Sequence, residues 1–387
     1  MILSKEIKKK NMRPHILHVI DSLAPGGAER MAVEIANATD KSMYRLGICV
    51  TRSDTTLAKE IDPSVALHVL GRDSRFDRKG IRRFQELVRE SRVDLFHVHG
   101  RSSMAFVAMA RTLRLVRQPV LFHDHYGRIE LDDSIPLWLK LWGRTHVSQY
   151  VGVSSRLSEW AQRAGIHPSR IAVIENALNL DRILEAQPVD IRRELNIPES
   201  TLVGLWVGGI RPQKGLELLF RALRELHCDI PFVILVIGGV GDQNYYQKCL
   251  RELEQLGRLD QVRLLGSRGD IPNILRGGVD FAVISSLSES GPLVLIEYMA
   301  AGLPFVATHV GNICQRAHDL GVPGFVPPGN PLALARALQQ LLSLSPLERK
   351  ERGEIGRHIA LEHFDIRKHM PRWYQLYEKV LCEGKDS

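Results

Sequence analysis

The sequence predicts an α/β protein made of two doubly wound parallel sheets. Short apolar strands alternate with amphipathic helices along nearly the whole chain, which is the pattern of parallel sheets covered by helices on both faces. The plan of strand, glycine-bearing loop and helix at the start of the chain recurs after its midpoint. Between the two halves lies a segment with two prolines around a charged helix, which is typical of a linker.

These observations predict the domain boundaries. A chain of 387 residues is long enough for two such domains, each with its own core. We expect a first domain over residues 1–183, a linker over 184–200, a second domain over 201–364, and a C-terminal helix over 365–387 that crosses back to the first domain.

The composition excludes several classes of protein. The five cysteines are odd in number and form no Cys-x-x-Cys pair, which argues against a disulfide framework or a structural zinc site and predicts a cytoplasmic protein. Residues 1–15 are polar and lysine-rich, without the apolar core of a signal peptide. Because no uncharged apolar run reaches the ~18 residues that span a bilayer, we predict neither secretion nor a transmembrane anchor.

The net charge of +8 is concentrated in the first half of the chain. A basic half suits nucleic acid, an anionic membrane or a pyrophosphate-bearing acceptor, or is simply a solvated basic surface. Residues 102–117 (SSMAFVAMARTLRLVR) and 135–142 (IPLWLKLW) are basic and amphipathic. They either lie on anionic lipid, which would place the protein at the inner face of the membrane, or are ordinary helices that face the core.

The first strand and helix are expected at residues 15–21 and 27–38, joined by a loop that ends in Gly26 and Gly27. Glycine at a helix entrance lets a phosphate approach the backbone closely. The loop lacks the Gly-x-Gly-x-x-Gly spacing of dinucleotide folds, so a nicotinamide cofactor is not predicted. Further strands are expected at 46–51, 66–70, 93–99, 120–125, 150–153 and 171–174, with a basic helix at 79–91.

Two of these strands end in histidine pairs, His97 with His99 and His123 with His125. Ligands of open parallel sheets collect at the carboxyl ends of strands. Residues two apart on a strand share a face, so a metal site is one interpretation. No nearby acidic or cysteine ligand completes the set, and for His97 and His123 we favour a structural role.

The second half repeats the plan of the first. A strand at 202–207 leads into the loop Gly-Gly-Ile-Arg-Pro-Gln-Lys-Gly and then a helix at 216–226. Arg211 and Lys214 in this loop are cations that could offset the charge on a departing diphosphate. Later strands are expected at 232–237, 262–265 and 325–328, followed by a helical tail from residue 331.

Residues 281–308 carry the most informative pattern. A buried strand at 281–286 runs into a helix that Gly291 can cap, with Pro292 at its first position and an end near residue 301. The free N–H groups and the positive dipole end of that helix suit an anion such as phosphate. Glu289 and Glu297 flank the site and are better suited to sugar hydroxyls than to the phosphate itself. The combination predicts a nucleotide sugar.

These residues resemble glycosyltransferase family four, the retaining nucleotide-sugar transferases of GT-B fold. The resemblance covers nearly the whole chain, and it implies two Rossmann-like doubly wound domains facing a cleft. It is carried by GGAE (26–29), HVHG (97–100), the histidine pair at 123–125, ENALN (175–179), VGGIRPQKG (207–215), LLGSRGDI (264–271), and Glu289-x7-Glu297 followed by AGLPFVAT.

The resemblance also implies a role for each matching residue. Glu297 would bind the nucleotide ribose, and Glu289 the donor sugar. The loop at Arg268 would border the base, Gly27 would approach the diphosphate, and His125 would lie by the reacting carbon. The diphosphate would be held by Lys214 together with the backbone N–H groups around Ser290, Gly291 and Leu293. Such enzymes work without a metal or other cofactor, and the sequence contains no Asp-x-Asp to hold one.

The chain departs from the family pattern at three places. Gly209 replaces the family arginine before the lysine loop, and Arg211 is the candidate substitute. Pro292 replaces a common glycine and removes one N–H donor. The family's Asn-Gly-Val-Asp is here Asn-Ala-Leu-Asn over residues 176–179.

The predicted function is therefore retaining glycosyl transfer from a nucleotide sugar, with UDP favoured over GDP. The acceptor expected is a glycan or a polyprenyl-pyrophosphate-linked sugar, as in cell-surface polysaccharide assembly; no nucleic-acid partner is expected. A nucleotide-sugar epimerase of the same architecture and a non-catalytic sugar-nucleotide-binding protein are the alternatives.

Overall fold

The computed structural model describes residues 13–74, 77–257 and 259–383. The sequence interpretation of the lysine-rich N-terminus falls mostly on residues outside this part. The chain divides into two compact units. The first unit holds the described residues up to Tyr126, then 133–174 and the residues from Ile366 onward, and the second holds 127–132 and 175–365.

The first unit alternates strands and helices from its beginning. Its strands are β1 (His15–Ile20), β2 (Arg45–Val50), β3 (Ala66–Val69), β4 (Leu95–His99), β5 (Val120–Asp124), β6 (Gln149–Gly152) and β7 (Ile171–Val173). Its helices are α1 (Gly27–Ala38), α2 (Arg78–Glu90), α3 (Arg101–Thr112), α4 (Leu137–His146), α5 (Ser155–Arg163) and, at the C-terminus, α15 (Ile366–Glu383). Short 3-10 turns lie at Thr56–Glu60 and Pro168–Arg170.

The seven strands form one parallel sheet in the order β3-β2-β1-β4-β5-β6-β7. All six residues of β1 and all five of β4 and β5 are buried, as expected for strands covered on both faces. Helix α3 ends at Thr112, five residues before the predicted end, because the chain leaves the helix through Leu113 and then Arg114, whose φ of 58° is left-handed.

The second unit contains the other strands and helices. Its strands are β8 (Leu202–Val207), β9 (Phe232–Ile237), β10 (Val262–Gly266), β11 (Phe281–Ile284), β12 (Phe305–Thr308) and β13 (Phe325–Val326). Its helices are α6 (Asp181–Leu184), α7 (Ile191–Glu194), α8 (Leu216–Glu225), α9 (Gln243–Leu256), α10 (Ile271–Arg276), α11 (Leu293–Ala300), α12 (Gly311–Asp319), α13 (Pro331–Ser343) and α14 (Pro346–His363). Short 3-10 turns lie at Pro212–Lys214 and Leu259–Gln261.

This sheet is also parallel throughout, with the order β10-β9-β8-β11-β12-β13. Apolar clusters cover both of its faces, one containing Leu235 and Tyr298 and the other Phe220 and Val306. The strand order reverses between β8 and β11, and the crevice at such a reversal is where open α/β sheets bind ligands. The loops that follow these two strands are therefore the place to look for a site.

Two further features bear on the sequence predictions. All five cysteines are free thiols. Within the described ranges, no helix combines the length and apolar character needed to cross a bilayer.

Candidate functional site

The loops after β8 and β11 are joined by hydrogen bonds although they lie some seventy residues apart in the chain. The backbone N–H of Leu287 donates to the carbonyl of Gln213 at 2.7 Å. The indole N–H of Trp206 donates to the Ser285 hydroxyl at 3.0 Å, and that hydroxyl donates to the carbonyl of Lys214 at 3.3 Å. The lysine loop is thus held against the segment that carries the predicted glutamate.

Gly215 makes this approach possible. Its φ of 61° and ψ of 35° are left-handed, where a residue with a Cβ is strained. A Cβ at this position would also overlap the carbonyl oxygen of Ser285. The left-handed backbone and the nearby Ser285 carbonyl therefore each require glycine directly after Lys214.

Lys214 and Glu289 form the central ion pair of the site. The Lys214 ammonium Nζ lies 2.5 Å from Glu289 Oε1, which also accepts a hydrogen bond from the Ser286 hydroxyl at 2.9 Å. The Glu289 side chain is 11% exposed and that of Lys214 26% exposed, so the pair is shielded but reachable. A carboxylate can accept about four hydrogen bonds, which leaves Glu289 capacity for ligand hydroxyls.

Helix α11 starts one residue later than predicted. Pro292 is its N-cap rather than its first helical residue, and strand β11 ends at Ile284, two residues before the predicted end. No side chain caps the helix start. The Leu295 N–H donates to the Pro292 carbonyl at 3.2 Å. The N–H groups of Leu293 and Val294 precede it in the first turn, where a helix start can bind an external acceptor and the helix dipole adds a positive potential.

The backbone around Gly291 is held by residues that the sequence interpretation gave no role. The Asn176 amide donates to the Gly291 carbonyl at 2.8 Å, and the Asn312 N–H donates to the Ser290 carbonyl at 3.2 Å. A Cβ on Gly291 would come within 2.8 Å of Asn312 Oδ1. Gly311, with a φ of 77°, lies against the Glu289 backbone. The Gly-Asn pair at residues 311–312, a dipeptide typical of turns, was the available sequence signal.

Glu297 lies one turn inside α11 with its side chain 16% exposed. Arg182, on the short helix α6, brings its Nη1 to 3.9 Å from Glu297 Oε1. The sequence interpretation missed this arginine because the two residues are far apart in the chain. Glu297 therefore has a cation beside it, as Glu289 has.

The other two predicted cations lie elsewhere in the second unit. The Arg211 side chain folds over Gly241, where an added Cβ would overlap its guanidinium. Arg268 forms ion pairs with Glu194 at 2.5 Å and Asp270 at 2.7 Å. The structure thus places Lys214, Glu289, Ser290 and Gly291 together, with Arg211 beside the loop after β9 and Arg268 in a carboxylate pair.

Gly27 and His125 belong to the first unit. Gly27 is the first residue of α1, exposed, with Gly26 as an extended N-cap. Gly26 has no side chain to cap α1, and a Cβ added there would overlap Glu29 Oε2, so the Glu29 carboxylate lies at the start of this helix.

His125 is part of a cluster of five imidazoles, here called the histidine cluster: His18, His97, His99, His123 and His125. In the parallel register His18 lies beside His97, and His99 beside His123. The rings contact one another: those of His97 and His99 are stacked at 4.3 Å between centroids, and those of His123 and His125 are tilted by 45° at 3.9 Å. The interpretation of two separate pairs missed His18, which only strand pairing brings to the cluster.

The cluster is neutral at physiological pH. Burial lowers the pKa of His18 and of His125 to about 3. Burial, reinforced by the neighbouring histidines, holds the pKa values of the other three well below the ordinary range. Ring nitrogens of His18, His97 and His99, and likewise of His99, His123 and His125, lie within 4.8 Å of one another, so a third histidine supplies what each predicted pair lacked.

The turn that carries His125 is fixed by Asp124. Its carboxylate accepts hydrogen bonds from the Tyr126 N–H at 3.1 Å, the Tyr150 hydroxyl at 3.0 Å and Arg101 Nε at 3.2 Å. The Arg101 guanidinium in turn stacks between the rings of Tyr126 and Trp160, at 3.7 and 3.8 Å. His125 therefore sits between two residues whose positions are set by a buried ion pair.

The fold and the site together define an α/β protein of two doubly wound units, with the Lys214–Glu289 ion pair and a helix start without a side-chain cap in the second. Two family models match the chain in succession. The model described as Glycosyltransferase Family 4 matches residues 25–182, and the model described as Glycosyl transferases group 1 matches residues 189–358. The chain belongs to glycosyltransferase family four, as the motifs predicted.

Curated relatives match over part of their length. The chain is 36% identical over 188 residues to a D-inositol 3-phosphate glycosyltransferase of Corynebacterium urealyticum, which is 46% of this chain and 44% of the relative. It is 26% identical over 254 residues to the UDP-Gal:alpha-D-GlcNAc-diphosphoundecaprenol alpha-1,3-galactosyltransferase of Escherichia coli, covering 62% and 64%. The chain spans about half the length, or less, of the inositol-phosphate glycosyltransferases it matches.

The fold has solved counterparts. The crystal structure of Anabaena Alr3699/HepE in complex with UDP and glucose is similar with a TM-score of 0.80, at 19% identity, over 95% of this chain and 100% of that one. A likeness at this identity concerns the fold, and it confirms the predicted GT-B class.

Proposed function

We propose that this protein transfers a sugar from a nucleoside diphosphate sugar to an acceptor. The observation that carries the proposal is the Lys214–Glu289 pair beside the uncapped start of α11. A cation and the N–H groups at a helix start suit a diphosphate, while a shielded carboxylate beside them suits sugar hydroxyls. A diphosphate and a sugar side by side describe one ligand, a nucleotide sugar.

The chemistry follows from those groups. Transfer breaks the bond between the anomeric carbon and the diphosphate oxygen, so negative charge builds on the leaving diphosphate. Lys214 and the first-turn N–H groups of α11 would stabilise that charge without a metal ion. The acceptor hydroxyl would attack on the face that the diphosphate leaves and pass its proton to the departing diphosphate oxygen, and attack on that face retains the configuration.

The remaining roles complete the proposal. Glu297, oriented by Arg182, would accept hydrogen bonds from the ribose, and Glu289 from the donor sugar. As the family resemblance implies, His125 would contact the sugar and Gly27 the diphosphate. Arg268 would border the base through its loop, and Arg211 is the candidate second phosphate cation.

We further propose a UDP-sugar donor and an acceptor linked to a polyprenyl diphosphate. Anabaena HepE was solved with UDP-glucose, and the Escherichia coli relative is named for a UDP-galactose donor and a diphosphoundecaprenol-linked acceptor. These names support the proposal by analogy. They make a lipid-linked glycan the first acceptor to test.

A lipid-linked acceptor fits a peripheral location at a membrane, and helix α4 offers a surface for it. Leu137 and Leu141 are 72% and 62% exposed, and Lys140 and Arg144 are exposed beside them. Exposed leucines between cations suit an anionic lipid interface. Sedimentation with phosphatidylglycerol vesicles should fall several-fold on Leu141→Ser, and equal sedimentation of both proteins would remove this part of the proposal.

The central experiment measures release of UDP or GDP from a panel of nucleotide sugars, with and without a polyprenyl-diphosphate-linked acceptor and in the presence of EDTA. We expect acceptor-dependent UDP release that EDTA leaves unchanged. Glu297→Ala should lower donor affinity at least tenfold, whereas Glu351→Ala, on the exposed face of α14, should not.

The same experiment separates the alternatives. Donor consumption without an acceptor would indicate an epimerase, and tight binding without turnover a non-catalytic binding protein. No binding of any nucleotide sugar, with Glu297→Ala indistinguishable from wild type, would refute the proposal.

A further inference from the structure

Three imidazoles of the histidine cluster form a hydrogen-bonded row, here called the imidazole row. His18 Nδ1 lies 3.0 Å from His99 Nε2, and His99 Nδ1 lies 3.3 Å from His125 Nε2. The His18 and His99 side chains are buried, at 0% and 2% exposed. The row therefore runs from the core of the first sheet to His125, whose ring is less deeply buried.

A row of neutral imidazoles has only two proton arrangements. A neutral imidazole carries one N–H and one bare nitrogen, so every ring in the row must donate in the same direction. Either His18 donates to His99 and His99 donates to His125, or both hydrogen bonds run the other way. The first arrangement leaves His125 with its proton on Nδ1, and the second leaves the proton on Nε2.

The buried end of the row distinguishes the two arrangements. Among the described residues, His18 Nε2 has no hydrogen-bond partner and is inaccessible to solvent. If the row ran toward His18, this nitrogen would carry an N–H buried without an acceptor, which native structures almost never contain. If the row runs toward His125, His18 Nε2 carries no proton and is only an unpaired acceptor, which folded proteins tolerate more readily.

A second row in the same sheet follows the same rule. His123 Nδ1 lies 3.4 Å from His97 Nε2, and His97 Nδ1 lies 2.9 Å from the Tyr377 hydroxyl. His123 Nε2 is again buried without a partner in the described part of the chain. This row therefore donates from His123 through His97 to Tyr377, so the two rows have the same polarity and differ in where they end.

We propose that His18 and His99 are positioning residues that hold His125 as a neutral imidazole with its proton on Nδ1. In this state His125 is a hydrogen-bond donor through Nδ1, and its Nε2 is occupied as an acceptor from His99. It can thus donate to an oxygen of the substrate, but it cannot act as a general base through Nε2. The catalytic consequence rests on the proposed glycosyl transfer, whereas the proton arrangement does not.

A metal ion is a poorer explanation of the same cluster. The His97 and His99 rings are stacked, 4.3 Å between centroids with an interplanar angle of 19°. The His18 and His99 rings are nearly parallel, at 18°, and their centroids lie 5.3 Å apart, which is the arrangement of two rings joined edge to edge by the hydrogen bond. Imidazoles that share a metal point their lone pairs at one centre, whereas stacked parallel rings point them in parallel. The stacking and the hydrogen-bond distances together favour the imidazole row.

Nitrogen-15 NMR of the full-length protein labelled at histidine tests the proposal directly. Protonated and bare ring nitrogens have well separated shifts, and His125→Asn identifies the His125 signals. At pH 7.5 we expect His125 with Nδ1 protonated and Nε2 bare. A His125 protonated on Nε2, or on both nitrogens, would overturn the proposal whatever reaction the protein catalyses.

Matched variants test the catalytic consequence. His99→Phe and His97→Phe each keep a buried stacked ring and each remove both hydrogen bonds of one residue, but only His99 bonds to His125. We expect His99→Phe to lower kcat about tenfold with the donor KM nearly unchanged, which is the scale of one lost hydrogen bond. His97→Phe should stay within about twofold of wild type by the same reasoning.

A third variant separates positioning from folding. In His99→Asn the amide nitrogen can take the place of Nδ1 and donate to His125, so kcat should recover to within about threefold of wild type. Equal losses in His99→Phe and His97→Phe, or no recovery in His99→Asn, would show that His99 is merely structural. If wild type has the predicted NMR signature but no turnover, the proposed function fails and the proton arrangement stands.

Discussion

Gly215→Ala is the substitution for which the structure gives the clearest expectation. Gly215 follows Lys214 directly, at a left-handed φ of 61°, with the Ser285 carbonyl in the space that a Cβ would need. The change therefore combines a backbone penalty with a clash, and the clash pushes apart the two loops that hold the Lys214–Glu289 pair. Both stability and nucleotide-sugar binding should suffer.

The two penalties can be estimated separately. Placing a non-glycine residue in the left-handed region costs about 1–2 kcal/mol. Moving packed backbone to relieve an overlap typically adds about 1–3 kcal/mol. Gly215→Ala should therefore lower the unfolding free energy of the second unit by about 2–5 kcal/mol. Gly257→Ala is the matched control, because Gly257 has a φ of 68° with no atom within 4 Å of an added Cβ, and it should cost only about 1–2 kcal/mol.

Urea unfolding followed through Trp206 in 5-fluorotryptophan-labelled protein measures the loss in the second unit. Calorimetric titration with the preferred nucleotide sugar measures the effect on binding. We expect at least a tenfold weaker affinity for Gly215→Ala and an unchanged affinity for Gly257→Ala. Equal destabilisation of the two variants, or unchanged binding in Gly215→Ala, would refute the argument that the clash with Ser285 sets the position of Lys214.

Three further predictions concern charge and protonation. Lys214→Met should lower kcat at least tenfold in a steady-state assay and should raise the donor KM by a smaller factor. The reason is that the negative charge on the diphosphate, which Lys214 stabilises, increases in the transition state. Arg101→Lys should lower the unfolding free energy of the first unit by about 1–3 kcal/mol, because lysine cannot stack between Tyr126 and Trp160 while bonding Asp124; an unchanged urea midpoint would contradict this. The unfolding free energy should fall as the pH drops from about 6.5 toward 3, by about 1.4 kcal/mol per pH unit for each histidine involved. The reason is that histidines of the unfolded chain bind protons in this range, whereas those of the buried cluster do not. Urea unfolding at pH 7.5, 6 and 5 tests it, and a flat profile would refute it.

The sequence predicts the fold well because its signals are local. A parallel strand that is buried on both faces appears as a short apolar run. Glycine, proline and capping residues indicate where helices begin and end. Glycine at position 302, with a φ of 71°, ends α11 as predicted. The predicted bounds of β8 and β9 match the structure, whereas the prediction for β11 extends two residues too far, because Ser285 and Ser286, which leave the strand for the site, remain buried themselves.

The site is predictable only in part. The spacing of Glu289 and Glu297 across one helix start is local, and both lie where the sequence places them, before and inside α11. The partners that hold them are not local. Arg182 reaches Glu297, and Asn176 reaches Gly291, across more than a hundred residues of chain. The family assignment was accessible from the motifs because it needs no knowledge of these contacts.

The sequence by itself determined the alternation of strands and helices, the two glycine-bearing loops and the carboxylates around a helix start, because each depends on residues within a few turns of one another. Tertiary structure alone decided the Lys214–Glu289 pair and the imidazole row. Parallel strands bring together side chains from distant parts of the chain, and their register determines which histidine meets which. A hydrogen bond depends on that register to within a few tenths of an ångström, and sequence spacing carries no such information.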